Sequence, residues 1–247
     1  MKSFVKRTIR CLGFDVRRYN PALSESAQFI RMLSVHRINL VFDVGANIGQ
    51  FGQFLRNAGY HGRIVSFEPL SAAREQLLKA GRKDALWEVA SRTAIGSKDG
   101  EIEIHVAGNS ESSSVLNMLE SHADAAPESR YVGSERVPLR RLDSIALDYF
   151  RPDSVAFLKI DVQGYEDRVL RGATRLLDRL VGLQLELSLV PLYEGQRLFD
   201  DLIEQMQATG FELWAMSPAF VNRQNGRLLQ VDATFFRCSA SHLNDSY

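Results

Sequence analysis

From residue 40 onward, apolar runs of strand length alternate with stretches whose apolar residues recur at helical spacing. "LVFDVG" (40–45) reads as a strand and 48–58 as a helix closed by Gly59. "RIVSFEP" (63–69) is a second strand, followed by a helix through "AAREQLLKA" that Ser71 caps and Gly81 stops. A third strand falls within "WEVASRTAI" (87–95). The rhythm then changes. "GEIEIHVAG" (100–108) alternates apolar and polar positions like a half-exposed antiparallel strand, and "RVPLRRL" (136–142) is its returning partner. Between them, 109–129 is polar and serine-rich, which predicts a mobile loop with room for one short helix. Alternation resumes with a buried strand at 154–162, a helix at 165–177, a strand at 181–189 and a helix at 196–209. "FELWAMS" (211–217) and "DATFFRC" (232–238) close the chain as a hairpin.

Strands separated by helices imply an α/β fold whose parallel sheet is covered on both faces. No repeat or long linker interrupts it, so 1–247 reads as a single domain. Residues 1–39 form an N-terminal extension and 40–238 the core, with an extra β-hairpin and loop inserted after the third strand.

Composition narrows the function classes. A 45% hydrophobic and 24% charged chain of 247 residues is the profile of a soluble globular protein. Thirty basic residues balance thirty acidic ones, which argues against nucleic acid as a partner. Cys11 and Cys238 have no metal-ligand spacing and fit a reducing, cytoplasmic setting. The N-terminus carries Lys2, Lys6, Arg7, Arg10, Arg17 and Arg18 against Asp15. Arg10 interrupts the apolar segment that a secretory signal needs, and no run is long enough to span a bilayer. A basic helix here either touches an anionic membrane peripherally or packs on the domain edge; the second reading is the plainer one. Oligomeric state has no signature.

Candidate chemistry begins at the end of the first strand, where α/β sheets bind ligands. Asp43, Gly45, Ala46, Asn47 and Gly49 cluster there. The spacing is not the G-x-G-x-x-G of a dinucleotide site, and Asp43 would repel a phosphate. An acid in this position suits a cationic group, such as the ammonium or sulfonium of S-adenosyl-L-methionine. Glu68, ending the second strand, is placed to accept hydrogen bonds from ribose hydroxyls.

"FDVGANIGQF" (42–51), "VSFEP" (65–69), "LKIDVQGYEDRVLRGA" (158–173) and "LQLELSLVPLYEGQ" (183–196) together resemble the FkbM-type family of S-adenosylmethionine-dependent methyltransferases, over roughly 40–238. The resemblance implies the three-layer, Rossmann-like class I methyltransferase fold. Its seven-stranded sheet is mostly parallel, with the last strand antiparallel between its neighbours. It implies that Asp43, Gly45, Ala46, Asn47 and Gly49 contact the methionine end of the cofactor and Glu68 its ribose. Residues 92–94, including Ala94, would lie beside the adenine. O-methylation of small molecules and sugars is the expected activity. Ser113 and Ser114 fall in a segment similar to one that covers the family's site, so they are substrate candidates.

The second polar cluster interrupts buried strands. Alternation puts Lys159, Asp161 and Gln163 on one face, and Gln184, Glu186 and Ser188 on one face of the next strand. Asp161 is then the candidate base, cofactor contact or metal ligand, with Glu186 its partner, Lys159 beside them, and magnesium a candidate cofactor. The bland alternative is that Lys159 and Asp161 simply satisfy each other. Tyr193 and Glu194 are candidates for the acceptor pocket. Glu166 reads as a helix start, His105 as an exposed strand residue, His122 as a loop residue, and Trp87 and Trp214 as core. Three competing readings stay open: a nucleotide-dependent (NAD-type) oxidoreductase, a nucleic-acid methyltransferase, and a silent cofactor-binding module.

Overall fold

The computed structural model describes residues 24–238, together with Cys11, Gly13 and Asn20. The cationic positions at 2, 6, 7, 10, 17 and 18, on which the basic N-terminal helix was expected, lie outside the described residues. After α1 (Glu25–Val35) come β1 (Leu40–Val44), α2 (Gln50–Asn57), β2 (Arg63–Phe67), α3 (Ser71–Gly81) and β3 (Trp87–Val89). The middle holds β4 (Ala94–Ile95), β5 (Gly100–Ala107), α4 (Glu120–Ala125), β6 (Tyr131–Arg140) and α5 (Leu142–Ile145). The chain ends with β7 (Ala156–Ile160), α6 (Glu166–Arg171), α7 (Thr174–Leu177), β8 (Leu180–Ser188), α8 (Phe199–Ala208), β9 (Phe211–Val221) and β10 (Leu228–Arg237).

The main sheet has seven strands in the order β3-β2-β1-β7-β8-β10-β9. Neighbours are parallel from β3 to β8, and β10 runs antiparallel between β8 and β9. This is the topology that the resemblance implied. Every residue of β1 and β7 is buried, which explains why both read as apolar runs without alternation. One apolar cluster, built around Phe42, Leu158 and Leu185, fills one face; a second, around Val41, Phe157 and Trp87, fills the other. The tips of β1, β2, β7 and β8 therefore open to one edge, where a ligand has access to bare backbone.

Several local expectations need correction. The third strand is divided: β3 borders the main sheet, while β4 joins a second, three-stranded sheet ordered β4-β6-β5. A two-residue strand carries no periodicity to announce it. The strand pairing with β5 begins at Tyr131, well before 136. The helix over 165–177 is two helices broken at Gly172, where a Cβ would overlap the Gly96 carbonyl oxygen. Ser71 is not a cap but the first helical residue; Leu70 holds the cap position, and the Ser71 hydroxyl donates to Glu135 at 2.7 Å. Trp214 stands on the edge strand β9, 39% exposed, against His36 and Phe236, whereas Trp87 is core as expected. Both cysteines are free and exposed. Among the described residues no helix is long and apolar enough to cross a membrane.

Candidate functional site

After β1 the chain turns through Gly45, Asn47 and Gly49, at φ of +79°, +45° and +94°. Such angles, and the approach of Gly45 to β7, exclude larger residues: a Cβ on Gly45 would overlap the Asp161 carbonyl oxygen. The Gly45 and Ala46 amides both donate to Phe67 O at 3.1 Å, tying the turn to the tip of β2. The Asn47 amide donates to Glu68 Oε2 at 2.8 Å and the Leu70 amide to Oε1 at 2.7 Å. These bonds favour the ionised form of Glu68, but burial outweighs them and pushes its carboxyl up to about 7.

Gly45, Ala46, Asn47 and Glu68 line a cavity of about 500 Å³, the size of a small-ligand site. Thr93, Ala94 and Ile95 form its wall near β2, while Arg92 turns away to Pro69 O and Glu135. Asp43 is not on this surface. The register pairs it with Ser66 on one side and Lys159 on the other, so the three side chains share one sheet face beneath the turn. Its Oδ2 accepts the Ser66 hydroxyl at 3.1 Å, and its Oδ1 has no hydrogen bond, only the Lys159 ammonium 3.8 Å away. The expected meeting of Asp43 with a cationic ligand is thus displaced: the cation against it is Lys159. Gly49 likewise faces inward, where a Cβ would stand 3.1 Å from the Trp87 ring.

Across the cavity, β7 and β8 do bring the second cluster together. Lys159 Nζ lies 3.1 Å from Asp161 Oδ2, and Gln163 Nε2 donates to Asp161 Oδ1 at 2.9 Å and to Glu186 Oε2 at 2.6 Å. Gln230, from β10, also donates to Glu186 Oε2, at 2.7 Å. Burial, then the charges of Asp161 and Asp232, push the Glu186 carboxyl well up. Burial works to lower the Lys159 ammonium, but Asp161 and Asp43 outweigh it and the net direction is up. Both oxygens of Asp161 already face N–H donors, one of them the Lys159 ammonium. Among the described residues no three His, Cys, Asp or Glu side chains gather as a metal site, so the magnesium expectation finds no support.

Ser113 and Ser114 line the cavity, with the Ser114 hydroxyl donating to Gln163 O at 2.7 Å. Tyr193, expected in the acceptor pocket, lies behind its wall, 1% exposed, and its hydroxyl donates to Gln163 Oε1 at 2.8 Å. Glu194 sits at the surface against Asn117. Glu166 does open α6, but it is buried, with Oε1 accepting the Val162 and Gly164 amides, and burial pushes it up to about 7.

Among the cavity residues to which the sequence reading gave no role in the site are Asp232, Gln230 and His122. Asp232, on β10, is pushed up to about 6 by burial and by Asp161; its position at the head of an apolar strand was the available signal. Gln230 lies two residues before it. His122 is buried on α4 between Tyr193 and Phe220, with Nε2 3.2 Å from Ser112 Oγ and Nδ1 unpartnered. Burial lowers its imidazole to about 4. A single histidine in a serine-rich stretch gives no periodic cue to its burial. His105 is half-buried, stacked on Tyr131.

The sheet order and the cavity at the strand tips together define the three-layer, Rossmann-like class I methyltransferase fold. The family model of the methyltransferase FkbM domain matches residues 43–213, and the chain belongs to that family. Methyltransferase SdnD of Sordaria araneosa is 28% identical over 153 residues, covering 53% of this chain and 59% of that protein. The AMB antimetabolite synthetase AmbE of Pseudomonas aeruginosa is 29% identical over 163 residues, covering 54% of this chain and 8% of the synthetase. The matches thus span less than two thirds of either relative. Similar solved structures include TehB of Haemophilus influenzae, with a TM-score of 0.47 at 10% identity, covering 85% of this chain and 62% of that one. A Streptococcus pneumoniae protein assigned as a tRNA methyltransferase, solved with S-adenosyl-L-methionine, gives 0.46 at 15% identity, covering 87% and 77%.

Proposed function

We propose that the chain carries the methyl group of S-adenosyl-L-methionine to a hydroxyl of a small molecule or sugar, with Asp161 taking the hydroxyl proton. One observation carries this reading. Asp161 and Glu186, joined through a single amide, line the same cavity as the Gly45 turn and Glu68. The cofactor supplies a methyl group already activated at a sulfonium. What the protein adds is approach and alignment, worth up to about 7–11 kcal/mol in favourable cases. A hydroxyl is a poor nucleophile until its proton leaves, so a carboxylate within reach is the group the reaction needs. Burial keeps Glu186 protonated to higher pH, which leaves Asp161, in contact with the Lys159 ammonium, to accept the proton.

The residues present fit the cofactor. Each oxygen of Glu68 accepts one main-chain amide, and a carboxylate has further lone pairs for the two ribose hydroxyls. Thr93 and Ala94 would flank the base, and Gly45, Ala46 and Asn47 the amino-acid end. Ser113 and Ser114 stand on the acceptor side.

Thermal shift with S-adenosyl-L-methionine, S-adenosylhomocysteine and NAD tests the cofactor. The first two should stabilise the protein, by about 2.7 kcal/mol at a hundred times the dissociation constant, and NAD should not. Labelled methyl donor incubated with sugar, lipid, metabolite and RNA extracts tests the acceptor. Label entering hydroxyl-bearing small molecules, and surviving exhaustive chelation, is the expected result; label confined to RNA would overturn it.

A further inference from the structure

Gln163 touches both carboxylates on which the proposed chemistry rests. Its two amide hydrogens serve Asp161 Oδ1 and Glu186 Oε2, and its Oε1 accepts the Tyr193 hydroxyl. The opposite flip would aim the amide oxygen at the Asp161 carboxylate, so charge settles the orientation. The backbone is pinned as well. Gln163 has φ +54°, a left-handed conformation that costs a residue with a Cβ, and its carbonyl oxygen accepts the Ser114 hydroxyl. Gly164 follows at φ +93°, and a Cβ there would crowd the Tyr193 ring at 3.0 Å. Backbone strain held by this many contacts is a mark of functional sites.

We propose that Gln163 is a positioning residue for methyl transfer: its amide holds the Asp161 and Glu186 carboxylates at a fixed separation as hydrogen-bond acceptors, and Tyr193 and Ser114 hold the amide. The inference deepens the reading above, which makes Asp161 the base, yet its test uses no acceptor, so either can fail without the other.

Glu186 faces Asp161 and Lys159 from the β7 end, Asp232 and Gln230 from β10, Glu166 from α6, and Tyr193 from the loop after β8. The three neighbouring carboxylates favour its protonated form, whereas Lys159 and the amide donors favour the ionised one. Removing the Gln163 donor must therefore move the titration of Glu186 upward.

Carbon-detected NMR of side-chain carboxyls in the full chain reads that titration, with Glu186→Gln assigning the resonance. In Gln163→Met, nearly isosteric but without donors, the midpoint should rise by about one unit or more, since a hydrogen bond to a charged group is worth that much. Tyr193→Phe, which frees the amide to turn, should raise it by less. A purely structural role would lower the melting temperature of both variants and leave the Glu186 midpoint at its wild-type value; that result overturns the proposal. If Gln163→Met does not fold, Tyr193→Phe decides alone, a raised midpoint supporting the assignment and an unchanged one sinking it.

Discussion

Asp43 and Lys159 face each other across the β1–β7 ladder, with Nζ 3.8 Å from an Oδ1 that no hydrogen bond reaches. The carboxylate is fully buried and the ammonium nearly so. Breaking such a pair from one side strands a charge and costs about 3–5 kcal/mol. Lys159→Met should lose that much in urea unfolding at pH 7. The loss should shrink on the acid side, because burial already raises Asp43 and protonation would remove the stranded charge. An equal loss at pH 5 and pH 8 would count against the pairing.

The pH dependence of stability should run against the usual acid sensitivity. Burial holds Glu68 and Glu166 up to about 7 and Asp232 up to about 6, and raises Glu186 too. Between the ordinary values of 3.8 to 4.5 and about pH 7, the folded protein thus binds more protons than the unfolded chain. Stability therefore falls as pH rises through that window. Urea titrations from pH 5 to pH 8 in the absence of ligand should show the decline. A cationic ligand favours the ionised wall, so the affinity for S-adenosyl-L-methionine should strengthen over the same rise.

His122 acts with the opposite sign. Burial depresses it to about 4 from an ordinary 6.5, so the unfolded chain binds more protons between those values and stability drops as pH falls through them. His122→Phe should remove this loss and make the protein relatively more stable at pH 5 than at pH 7, compared with wild type. Identical pH profiles would mean that the imidazole is not sequestered.

Cofactor binding and turnover should separate by residue. Glu68→Gln should weaken S-adenosyl-L-methionine by about tenfold or more in calorimetry, the scale of one hydrogen bond to a charged group. Gly45→Ala should abolish binding, since its Cβ would collide with the Asp161 carbonyl. Asp161→Asn should keep the cofactor and lose methyl transfer; lost binding instead would move Asp161 into the cofactor's own contacts.

What the sequence disclosed follows from how each part is buried. β1, β7 and β8 are enclosed on both faces, so their apolar runs stood out, and the acids and lysine breaking those runs marked the site edge. Alternation gave the faces on which Lys159, Asp161 and Glu186 lie. It gave no depth, which is why Asp43 was expected at a surface it underlies and Tyr193 in a wall it backs. Short elements left no periodic trace: β4 owes its place to pairing with β6, and the break at Gly172 to contact with Gly96. Gln163 was on the right face, but its role depends on a partner from after β8 that no local pattern links to it.

The opening turn also has an underside. Gly49 leaves room for the Trp87 indole, and Gly52, one turn on, would drive a Cβ into the same ring. Helix and third strand therefore interlock like a peg in a socket, and neither glycine can be exchanged while the peg stays full size. Anyone redesigning this entrance must recut position 87 together with 49 and 52, or the ligand-facing loop will be pushed out from below.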